Sequence, residues 1–283
     1  MKILVTGANG QVGSALTKAL KEHEIVPLTR KDCDLTNLAQ IHQVITQNQP
    51  ELIINAAAYT KVDQAEEEKE LAFQINCDAP RAISEKALEY DIPFIHFSTD
   101  YVFDGEKAGS YGENDLTNPT NVYGQSKLAG EIAVKAGGGK YYIFRTSWVY
   151  SNTGDNFYLT IKNKCAKQIA LKVVGDQFGV PTSSIFLAEQ IKQLIPILSN
   201  NNIGTYNLVP DGISSWYEFA KAIIHKTNKK YMLKNLLKVN SSDYLTNVNR
   251  PKNSRLNNEK IKRTFMLKFL HWDKELDKVI NET

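Results

Sequence analysis

The chain has 283 residues with 34 Lys or Arg and 31 Asp or Glu, so its formal net charge is +3. This length suits one large or two modest domains, and 42% hydrophobic residues exclude general disorder. The small net charge argues against a dedicated nucleic-acid binder. The charge is uneven, because residues 1–150 carry 14 basic and 20 acidic residues whereas residues 151–283 carry 20 and 11. Solvated lysines explain most of this excess, and the rest predicts a field that attracts an anionic ligand to the second half.

The cysteines and histidines indicate neither a disulfide framework nor a metal site. The three cysteines lie far apart and form no CxxC pair, and the five histidines form no HxxxH or HExxH spacing. The chain begins with the strand-like segment MKILVTG, with no visible signal peptide and no apolar run near the ~18 residues of a membrane span. These patterns predict a cytoplasmic protein with reduced thiols, no metal ligands and no membrane partner.

Strand-like and helix-like segments alternate through the first half of the chain. Apolar runs predict strands at 3–6, 24–28, 52–55, 92–98 and 141–145. Helical spacing predicts helices at 12–21, 38–46, 62–78, 79–89 and 122–135. Alternation of this kind predicts an α/β fold, a Rossmann-type doubly wound parallel sheet, and we assign residues 1–150 to it.

The pattern loosens after residue 150. Helices are predicted at 157–167, 185–197, 216–226 and 274–280, with strands at 170–174 and 205–209. We expect residues 151–283 to form mainly a smaller C-terminal substrate-binding domain. The two domains should be interleaved, because the strands near 172 and 206 are predicted to rejoin the sheet of the first domain.

A glycine-rich turn lies between the first predicted strand and the first helix. Gly7, Gly10 and Gly13 stand in TGANGQVG, a GxxGxxG spacing. The first glycine permits a tight turn, the second a close approach of a pyrophosphate, and the third close packing of helix on strand. Because the motif has the strand–turn–helix context, it predicts a dinucleotide-binding site.

The end of the second strand bears on the choice of dinucleotide. An NAD enzyme usually places an acid here, on the ribose 2′-hydroxyl, but this chain has Arg30 and Lys31. Positive charge can pair with a 2′-phosphate, so the sequence favours NADPH, with NADH as the alternative. Asp34 and Leu35 are expected to flank the adenine.

Small residues follow the third strand, in Asn55-Ala56-Ala57-Ala58. They would let the backbone lie against the cofactor, although tight packing of strand on helix also explains them. Asn76 is a polar residue in an apolar helical stretch, and we expect it to hydrogen-bond to neighbouring backbone.

The polar residues best suited to carbonyl chemistry follow the fourth strand. Thr99 and Asp100 lie at its end, at the carboxyl edge of the sheet where ligands of doubly wound folds bind. Tyr123 and Lys127 are four residues apart and share one helix face. A nearby ammonium is expected to lower the pKa of the phenol from about 10, which would make Tyr123 an effective proton donor.

Together these motifs resemble the extended short-chain dehydrogenase/reductase superfamily. The resemblance rests on TGANGQVG, NAAAYT, STDYVFDG and YGQSK, and it extends over nearly the whole chain through NPTNVYGQSKLAGE, FRTSWVY, DQFGVPT and RPKNSRL. Within the superfamily it is closest to the reductases of 4-keto sugar nucleotides. It therefore implies NADPH-dependent reduction of a sugar C4 carbonyl, with either dTDP or UDP as the nucleotide.

The resemblance also implies roles for individual residues. It makes Tyr123 the proton donor, Lys127 the residue that holds the nicotinamide ribose and tunes Tyr123, and Thr99 the partner of the substrate oxygen. Cofactor contacts are implied at Gly7, Gly10, Gln11, Val12, Gly13, Arg30, Asp34, Leu35, Ala57, Ala58, Tyr59 and Thr60, besides Tyr123 and Lys127. Substrate contacts are implied at Val62, Thr99, Asp100, Tyr123 and Trp148, and a binding role for Arg250 and Arg255 is as plausible as a surface role.

Two alternatives remain on the same fold. A nucleotide-sugar epimerase or dehydratase is one, although a dehydratase typically has Asp-Glu after the Thr, where this chain has Asp100-Tyr101. A non-enzymatic regulatory subunit is the other, disfavoured by the intact Thr99, Tyr123 and Lys127. Some relatives are metal-dependent dimers, so the sequence leaves open a magnesium requirement and a homodimer.

Overall fold

The computed structural model describes residues 1–243 and 248–282. Its strands are β1 Lys2–Thr6, β2 Glu24–Leu28, β3 Leu52–Asn55, β4 Phe94–Thr99, β5 Tyr141–Thr146, β6 Val149–Tyr150, β7 Leu171–Val174, β8 Phe178–Gly179, β9 Thr182–Ser183, β10 Gly204–Asn207, β11 Ser214–Ser215, β12 Leu236–Val239 and β13 Asn253–Ser254. Its helices are α1 Gln11–Ala19, α2 Leu38–Asn48, α3 Val62–Ala65, α4 Lys69–Phe73, α5 Ala79–Glu89, α6 Val122–Gly137, α7 Phe157–Ala166, α8 Ser184–Leu194, α9 Trp216–Lys226, α10 Glu259–Phe265 and α11 Trp272–Asn281.

Six parallel strands form the central sheet, in the order β10-β5-β4-β3-β1-β2. Side chains alternate between its faces, so Ile3 and Val5 pack in one core with α1 and α8, whereas Leu4 packs in another with α2 and α5. Helices therefore cover both faces, which explains why the central strands β1 and β3 are almost entirely apolar and buried. The predicted fold class is confirmed.

The chain reverses direction across this sheet at one point. From β1 it runs outward to β2 at the edge and then returns to β3 on the other side of β1. Ligands of open α/β sheets bind at such a switch point, outside the carboxyl ends of the strands. The carboxyl ends of β1, β3 and β4 are therefore the place to look for a site.

The strand near 206 rejoins the central sheet as predicted, since β10 pairs with β5. The expectation for the strand near 172 is wrong, because β7 pairs with β12 in a separate two-stranded parallel sheet. Its side chains Leu171 and Val173 are buried in a second core that also contains Phe219 and Ile223 of α9. The proposed domain 151–283 includes residues 244–247 and 283, which lie outside the described residues, and its bounds stay a prediction.

The predicted helix over 62–78 is three pieces. α3 and α4 are separated by a turn, and residues Gln74–Asp78 form a π-helical turn that leads into α5. Glutamates of the intervening turn bond outside the helix: Glu66 accepts from the backbone N–H of Val122 at 2.9 Å, and Glu68 accepts from the Tyr59 hydroxyl at 2.7 Å. The two glutamates thus hydrogen-bond with residues outside the helix at the turn where the predicted helix is interrupted. The short helix α10 was not predicted.

A buried ion pair ties α6 to the sheet. Glu131 of α6 is fully buried and accepts from Arg145 of β5, at 2.8 Å from Nε and 2.6 Å from Nη2. It also accepts from the Ser98 hydroxyl of β4 at 2.7 Å. Burial is the largest single influence and would raise the pKa of Glu131, but Arg145, Lys135 and Ser98 together outweigh it and the pKa is lowered.

We predict that the Arg145→Met substitution lowers the free energy of unfolding by about 3–5 kcal/mol, because it leaves the Glu131 charge buried without its partner. Urea denaturation measures the loss. The matched control is Lys135→Met, which removes the more exposed partner of the same carboxylate and should cost only about 0–1 kcal/mol. Similar losses for the two variants would contradict a structural role for the buried pair.

Candidate active site

The glycine-rich turn has the backbone shape that a diphosphate needs. Gly7 has a positive φ of 65°, and a Cβ there would lie 2.8 Å from the backbone of Ala57. A Cβ at Gly13 would overlap the Gly7 carbonyl oxygen, so α1 packs directly on the turn. Gly10 is the N-cap of α1 and provides no side-chain cap, so first-turn N–H groups are available to an anion. The turn therefore fits the dinucleotide predicted for it.

The side chain of Gln11 accepts hydrogen bonds from a loop that is distant in sequence. Its Oε1 accepts from the Ser151 hydroxyl at 3.0 Å and from Asn156 Nδ2 at 2.9 Å. A contribution of Gln11 or Val12 to a diphosphate would accordingly come from their main-chain N–H groups. The loop that follows β6 thus docks on the glycine turn, a contact between residues about 140 positions apart that local sequence patterns do not reveal.

At the end of β2 the basic side chains are exposed, whereas the acidic side chains of the turn accept hydrogen bonds from within the turn. Asp32 accepts from the backbone N–H and the hydroxyl of Thr29, at 2.9 and 2.6 Å, and Asp34 accepts from Thr36 at 3.0 Å. Hydrogen bonds from Thr36 lower the pKa of Asp34. Arg30 is exposed, so its guanidinium is accessible to a 2′-phosphate. Leu35 is partly buried beside the core under β2.

The side chain of Asn76 hydrogen-bonds to the backbone of the segment that follows β3. Asn76 accepts from the Tyr59 N–H at 2.8 Å and donates to the Tyr59 carbonyl at 3.0 Å, as the sequence suggested. Ala57 and Ala58 are half-buried next to the glycine turn, whereas Thr60 is exposed. Burial and the neighbouring Glu68 raise the pKa of Tyr59 to about 12. The π-helical turn that carries Asn76 fixes this backbone, a frequent use of such turns at functional sites.

The structure brings Thr99, Tyr123 and Lys127 to the carboxyl edge of the sheet. Thr99 is the last residue of β4, and Asn121 caps α6 by accepting from the Gly124 N–H at 2.8 Å, so that Tyr123 lies in the first turn. The Thr99 hydroxyl donates to Asp100 Oδ1 at 3.0 Å and lies close enough to the Tyr123 phenol to lower its pKa. The Lys127 ammonium donates to the Phe97 carbonyl at 2.6 Å.

The pKa shift expected for Tyr123 is wrong in direction. Burial raises its pKa to about 12, only partly offset by the bond with Thr99, and the neighbouring Asp100 raises it further. Lys127 is itself 2% exposed, and burial lowers its pKa to about 8. Desolvation at both groups exceeds the attraction that the i, i+4 spacing led us to expect.

The predicted substrate residues are linked by a run of contacts. The Trp148 indole lies over Gly179, where a Cβ would be 2.5 Å from the ring, and Gly179 pairs in register with Ser254. Ser254 lies near Asp100: burial raises the pKa of Asp100 to about 6, and Ser254 partly offsets this rise. The segments DQFGVPT, RPKNSRL and STDYVFDG thus meet in space. Val62, half-buried, begins α3 nearby.

Trp148 is held in an unusual conformation. Its φ is 49°, a left-handed value that costs energy for a bulky residue. Its ring stacks on Trp216 of α9 with centroids 3.6 Å apart and an interplanar angle of 10°. Trp216 was not among the predicted site residues, and its position in sequence gave no sign of this stack.

Arg250 and Arg255 occupy different environments. Arg250 Nη2 bonds to Asp63 of α3 at 2.6 Å. Burial raises the pKa of Tyr101 and the charge of Arg250 partly offsets this rise, so Arg250 is near Tyr101, whose ring packs edge-on against Tyr123. The Arg255 guanidinium donates to the Ala108 carbonyl at 2.6 Å and to Asn253 Oδ1 at 2.7 Å. Arg250 therefore lies at the site, whereas Arg255 fastens the loop beside it.

Metal ligands are not gathered in the part of the chain that the structure describes: residues 1–243 and 248–282 contain no group of three His, Cys, Asp or Glu that could hold an ion. A glycine-lined turn at the switch point, with a Thr, a Tyr and a Lys at the adjoining strand end, defines a Rossmann-type oxidoreductase of the short-chain dehydrogenase/reductase class.

Comparisons with known proteins narrow this class to one family. The family model described as RmlD substrate binding domain matches residues 1–283. The dTDP-4-dehydrorhamnose reductase of Escherichia coli K12 is 38% identical over an alignment of 297 positions, which covers 100% of this chain and 98% of that protein. The crystal structure of the Bacillus anthracis dTDP-4-dehydrorhamnose reductase in complex with NADP is 37% identical, with a TM-score of 0.94 over 100% of this chain and 99% of that one. The chain belongs to the dTDP-4-dehydrorhamnose reductase family, which confirms the resemblance seen in the motifs.

A more distant structure shows how widely the fold is used. DesIV of Streptomyces venezuelae, a dTDP-glucose 4,6-dehydratase with NAD and TYD bound, is 16% identical and has a TM-score of 0.82 over 99% of this chain. That likeness shows the fold alone.

We predict that Arg30→Ala raises the KM for NADPH about tenfold and leaves the KM for NADH within twofold, because only the former loses a charge-assisted bond to its 2′-phosphate. Steady-state kinetics with each cofactor measure the ratio. Lys21→Ala removes an exposed positive charge from the far end of the α1 segment and serves as the control. An equal change for the two cofactors would argue against 2′-phosphate recognition by Arg30.

Proposed function

We propose that this chain reduces the C4 keto group of dTDP-4-dehydro-β-L-rhamnose to give dTDP-β-L-rhamnose, the last step of dTDP-L-rhamnose biosynthesis, with NADPH as the reductant. The observation that carries the proposal is the meeting of Thr99, Tyr123 and Asp100 at the edge of the sheet that also carries the glycine turn. Full-length identity to reductases named for this substrate supports it.

The chain supplies a site that suits NADPH. Main-chain N–H groups of Gly10, Gln11 and Val12 would hold the diphosphate, and Arg30 would hold the 2′-phosphate. Asp34 and Leu35 would flank the adenine, and Ala57 to Thr60 would lie along the ribose and nicotinamide. NADPH, when bound, supplies the hydride that reduces the sugar carbonyl. NADH is the alternative cofactor, and the Arg30 comparison above distinguishes them.

Tyr123 is in the correct protonation state to act as the acid. Its pKa of about 12 means that the phenol holds its proton at neutral pH and can pass it to the alkoxide that forms at C4. The Thr99 hydroxyl would hydrogen-bond to the same oxygen and stabilise its developing charge. Lys127, from the next turn of α6, would hold the nicotinamide ribose and help Tyr123 regain a proton between turnovers.

The substrate side combines a charge, an acid and an aromatic surface. Arg250 would pair with the nucleotide diphosphate, since a guanidinium matches phosphate geometry. Asp100 and Trp148 would contact the sugar, and Val62 would close the site from α3. The positive balance of residues 151–283 would attract this anionic substrate.

The dehydratase alternative is disfavoured by the residue after Asp100. Elimination needs a base at that position, but Tyr101 is a phenol whose pKa burial raises strongly, so it holds its proton at neutral pH. Its ring packs edge-on against Tyr123, with centroids 5.5 Å apart. The regulatory alternative predicts no turnover at all.

The remaining predictions concern the cellular location, the oligomeric state and the metal requirement. None of the helices in residues 1–243 and 248–282 has the length and apolar character that crossing a membrane requires. The cytoplasmic location, the homodimer and the magnesium requirement rest on the sequence and its resemblance, and they stay predictions. Light scattering with and without magnesium tests the last two together.

We predict that Tyr123→Phe lowers kcat at least 100-fold, since general acid catalysis typically contributes a factor of 10²–10⁴. The loss of NADPH absorbance after addition of dTDP-4-dehydro-β-L-rhamnose measures the rate. The melting temperature should stay within about 2 °C of the unsubstituted chain. Near-normal turnover by the folded variant would overturn the assignment of Tyr123, and no NADPH consumption by the unsubstituted chain would support the regulatory alternative.

We also predict that Arg250→Ala raises the KM for the sugar nucleotide about tenfold and leaves the KM for NADPH unchanged, because a charge-assisted bond to the diphosphate is lost. Arg255→Ala is the comparison. Its guanidinium is bonded to Ala108 and Asn253, so it should lower the thermal stability of the loop and affect the KM less. If Arg250→Ala raises both KM values equally, the charge of this region does not act on the substrate.

A further inference from the structure

A line of buried polar side chains runs beneath the site from β1 to α6. The Thr6 hydroxyl donates to Asn55 Oδ1 at 2.5 Å, Asn55 Nδ2 lies 3.1 Å from His96 Nδ1, and His96 Nε2 lies 3.5 Å from Lys127 Nζ. Asn55 and His96 are fully buried, and Thr6 and Lys127 are 3% and 2% exposed. The proton-transfer residues proposed above do not include His96, although it is the direct neighbour of Lys127 in this line.

The hydrogen bonds of Asn55 determine which ring nitrogen of His96 carries the proton. Oδ1 of Asn55 accepts from the Thr6 hydroxyl and from the backbone N–H of Ala57 at 3.3 Å, and a backbone N–H can only donate. The amide is therefore oriented with Nδ2 towards His96, so His96 Nδ1 must accept. A neutral imidazole with Nδ1 as acceptor carries its hydrogen on Nε2.

His96 is neutral in this environment. Burial lowers its pKa well below the ordinary value, and the charge of Lys127 lowers it further. Its Nε2–H then points at Lys127 Nζ, so two donors face each other whenever Lys127 is an ammonium. A neutral amine at Lys127 would instead accept this hydrogen.

The charged group nearest to Lys127 along α6 raises the pKa of Lys127, in opposition to burial, and it is already paired with other residues. Glu131, one turn further along α6, raises the pKa of Lys127, but its carboxylate is bonded to Arg145, Ser98 and Lys135. Asp100 and the phenols of Tyr101 and Tyr123 are the other titratable groups of the site, but the pKa of Lys127 is shifted by burial and by Glu131 rather than by them. Burial remains the largest influence and brings the pKa of Lys127 to about 8.

We propose that His96 is a positioning residue: Asn55 holds it in the Nε2–H form, and in that form it presents a hydrogen to Lys127 Nζ and limits how readily the Lys127 amine binds a proton. The kinetic consequence rests on the function proposed above for Lys127. Below its pKa Lys127 is an ammonium, so a step that needs this charge is lost as the pH rises through about 8.

The first test is the ¹⁵N NMR spectrum of the protein labelled at its five histidines. The pair of signals lost in His96→Gln is assigned to His96. We expect a pyridine-type Nδ1 and a pyrrole-type Nε2 from pH 6 to pH 9. A protonated Nδ1 would overturn the proposal whatever the enzyme does, so this outcome is separate from failure of the proposed reaction.

The second test is Asn55→Asp, which has the same shape but two acceptor oxygens. One oxygen keeps Thr6 and Ala57, and the other now accepts from His96 Nδ1, so Nε2 becomes an acceptor for the Lys127 ammonium. We expect the two ¹⁵N signals to exchange character and the alkaline limb of kcat/KM to move up by about one pH unit or more. Asn200→Asp adds the same charge at an exposed position at the amino end of the sheet and should change neither.

A folded Asn55→Asp protein whose alkaline limb stays in place would overturn the link between His96 and Lys127. If this variant does not fold, the ¹⁵N spectrum of the unsubstituted protein still decides which tautomer is present. Comparison with Tyr123→Phe separates the two proposals, because that variant tests the reaction and leaves the His96 signals unchanged.

Discussion

The buried ion pair between Glu131 and Arg145 sets the position of the helix on which the site depends. Tyr123, Lys127 and Glu131 are spaced by four residues on α6, so they form one stripe along it. Glu131 is bonded at once to Arg145 of β5 and to Ser98, the neighbour of Thr99 on β4. Fixing Glu131 therefore fixes the other two residues of the stripe relative to the end of β4. A charge buried at this depth tolerates no alternative arrangement, since displacement would leave it unpaired.

The parallel sheet brings distant segments to one edge. The glycine turn follows β1, the alanines follow β3 and Thr99 ends β4, so three segments separated by dozens of residues lie side by side. The second half of the chain then closes over this edge through Gly179 and Ser254, and through the loop that bonds to Gln11. The proposed cofactor residues and the proposed substrate residues therefore lie on either side of Thr99, Tyr123 and Lys127, as transfer of a hydride followed by a proton would require.

Much of the fold, and the meeting of Thr99, Tyr123 and Lys127 at one edge of the sheet, could be predicted from the sequence, because both depend on local patterns. Apolar runs predicted the six strands of the sheet, and the i, i+4 spacing predicted that Tyr123 and Lys127 share a face of α6. The predictions that failed concern properties that depend on burial and on contacts with distant segments of the chain. The pKa of Tyr123 rises because burial outweighs the opposing influence of Thr99, and β7 pairs with β12, which lies some sixty residues later. The stack of Trp148 on Trp216 and the different partners of Arg250 and Arg255 are likewise contacts between distant segments.

The central claim is that this site delivers a hydride to the sugar C4 and a proton from Tyr123 to its oxygen. The most direct measurement uses NADPH deuterated at nicotinamide C4 with dTDP-4-dehydro-β-L-rhamnose and identifies the product by NMR. The account predicts dTDP-β-L-rhamnose with one deuterium on C4 when the transferred position is labelled, and none when the label is on the other face. A product that carries deuterium elsewhere, or consumption of the sugar without oxidation of NADPH, would contradict it.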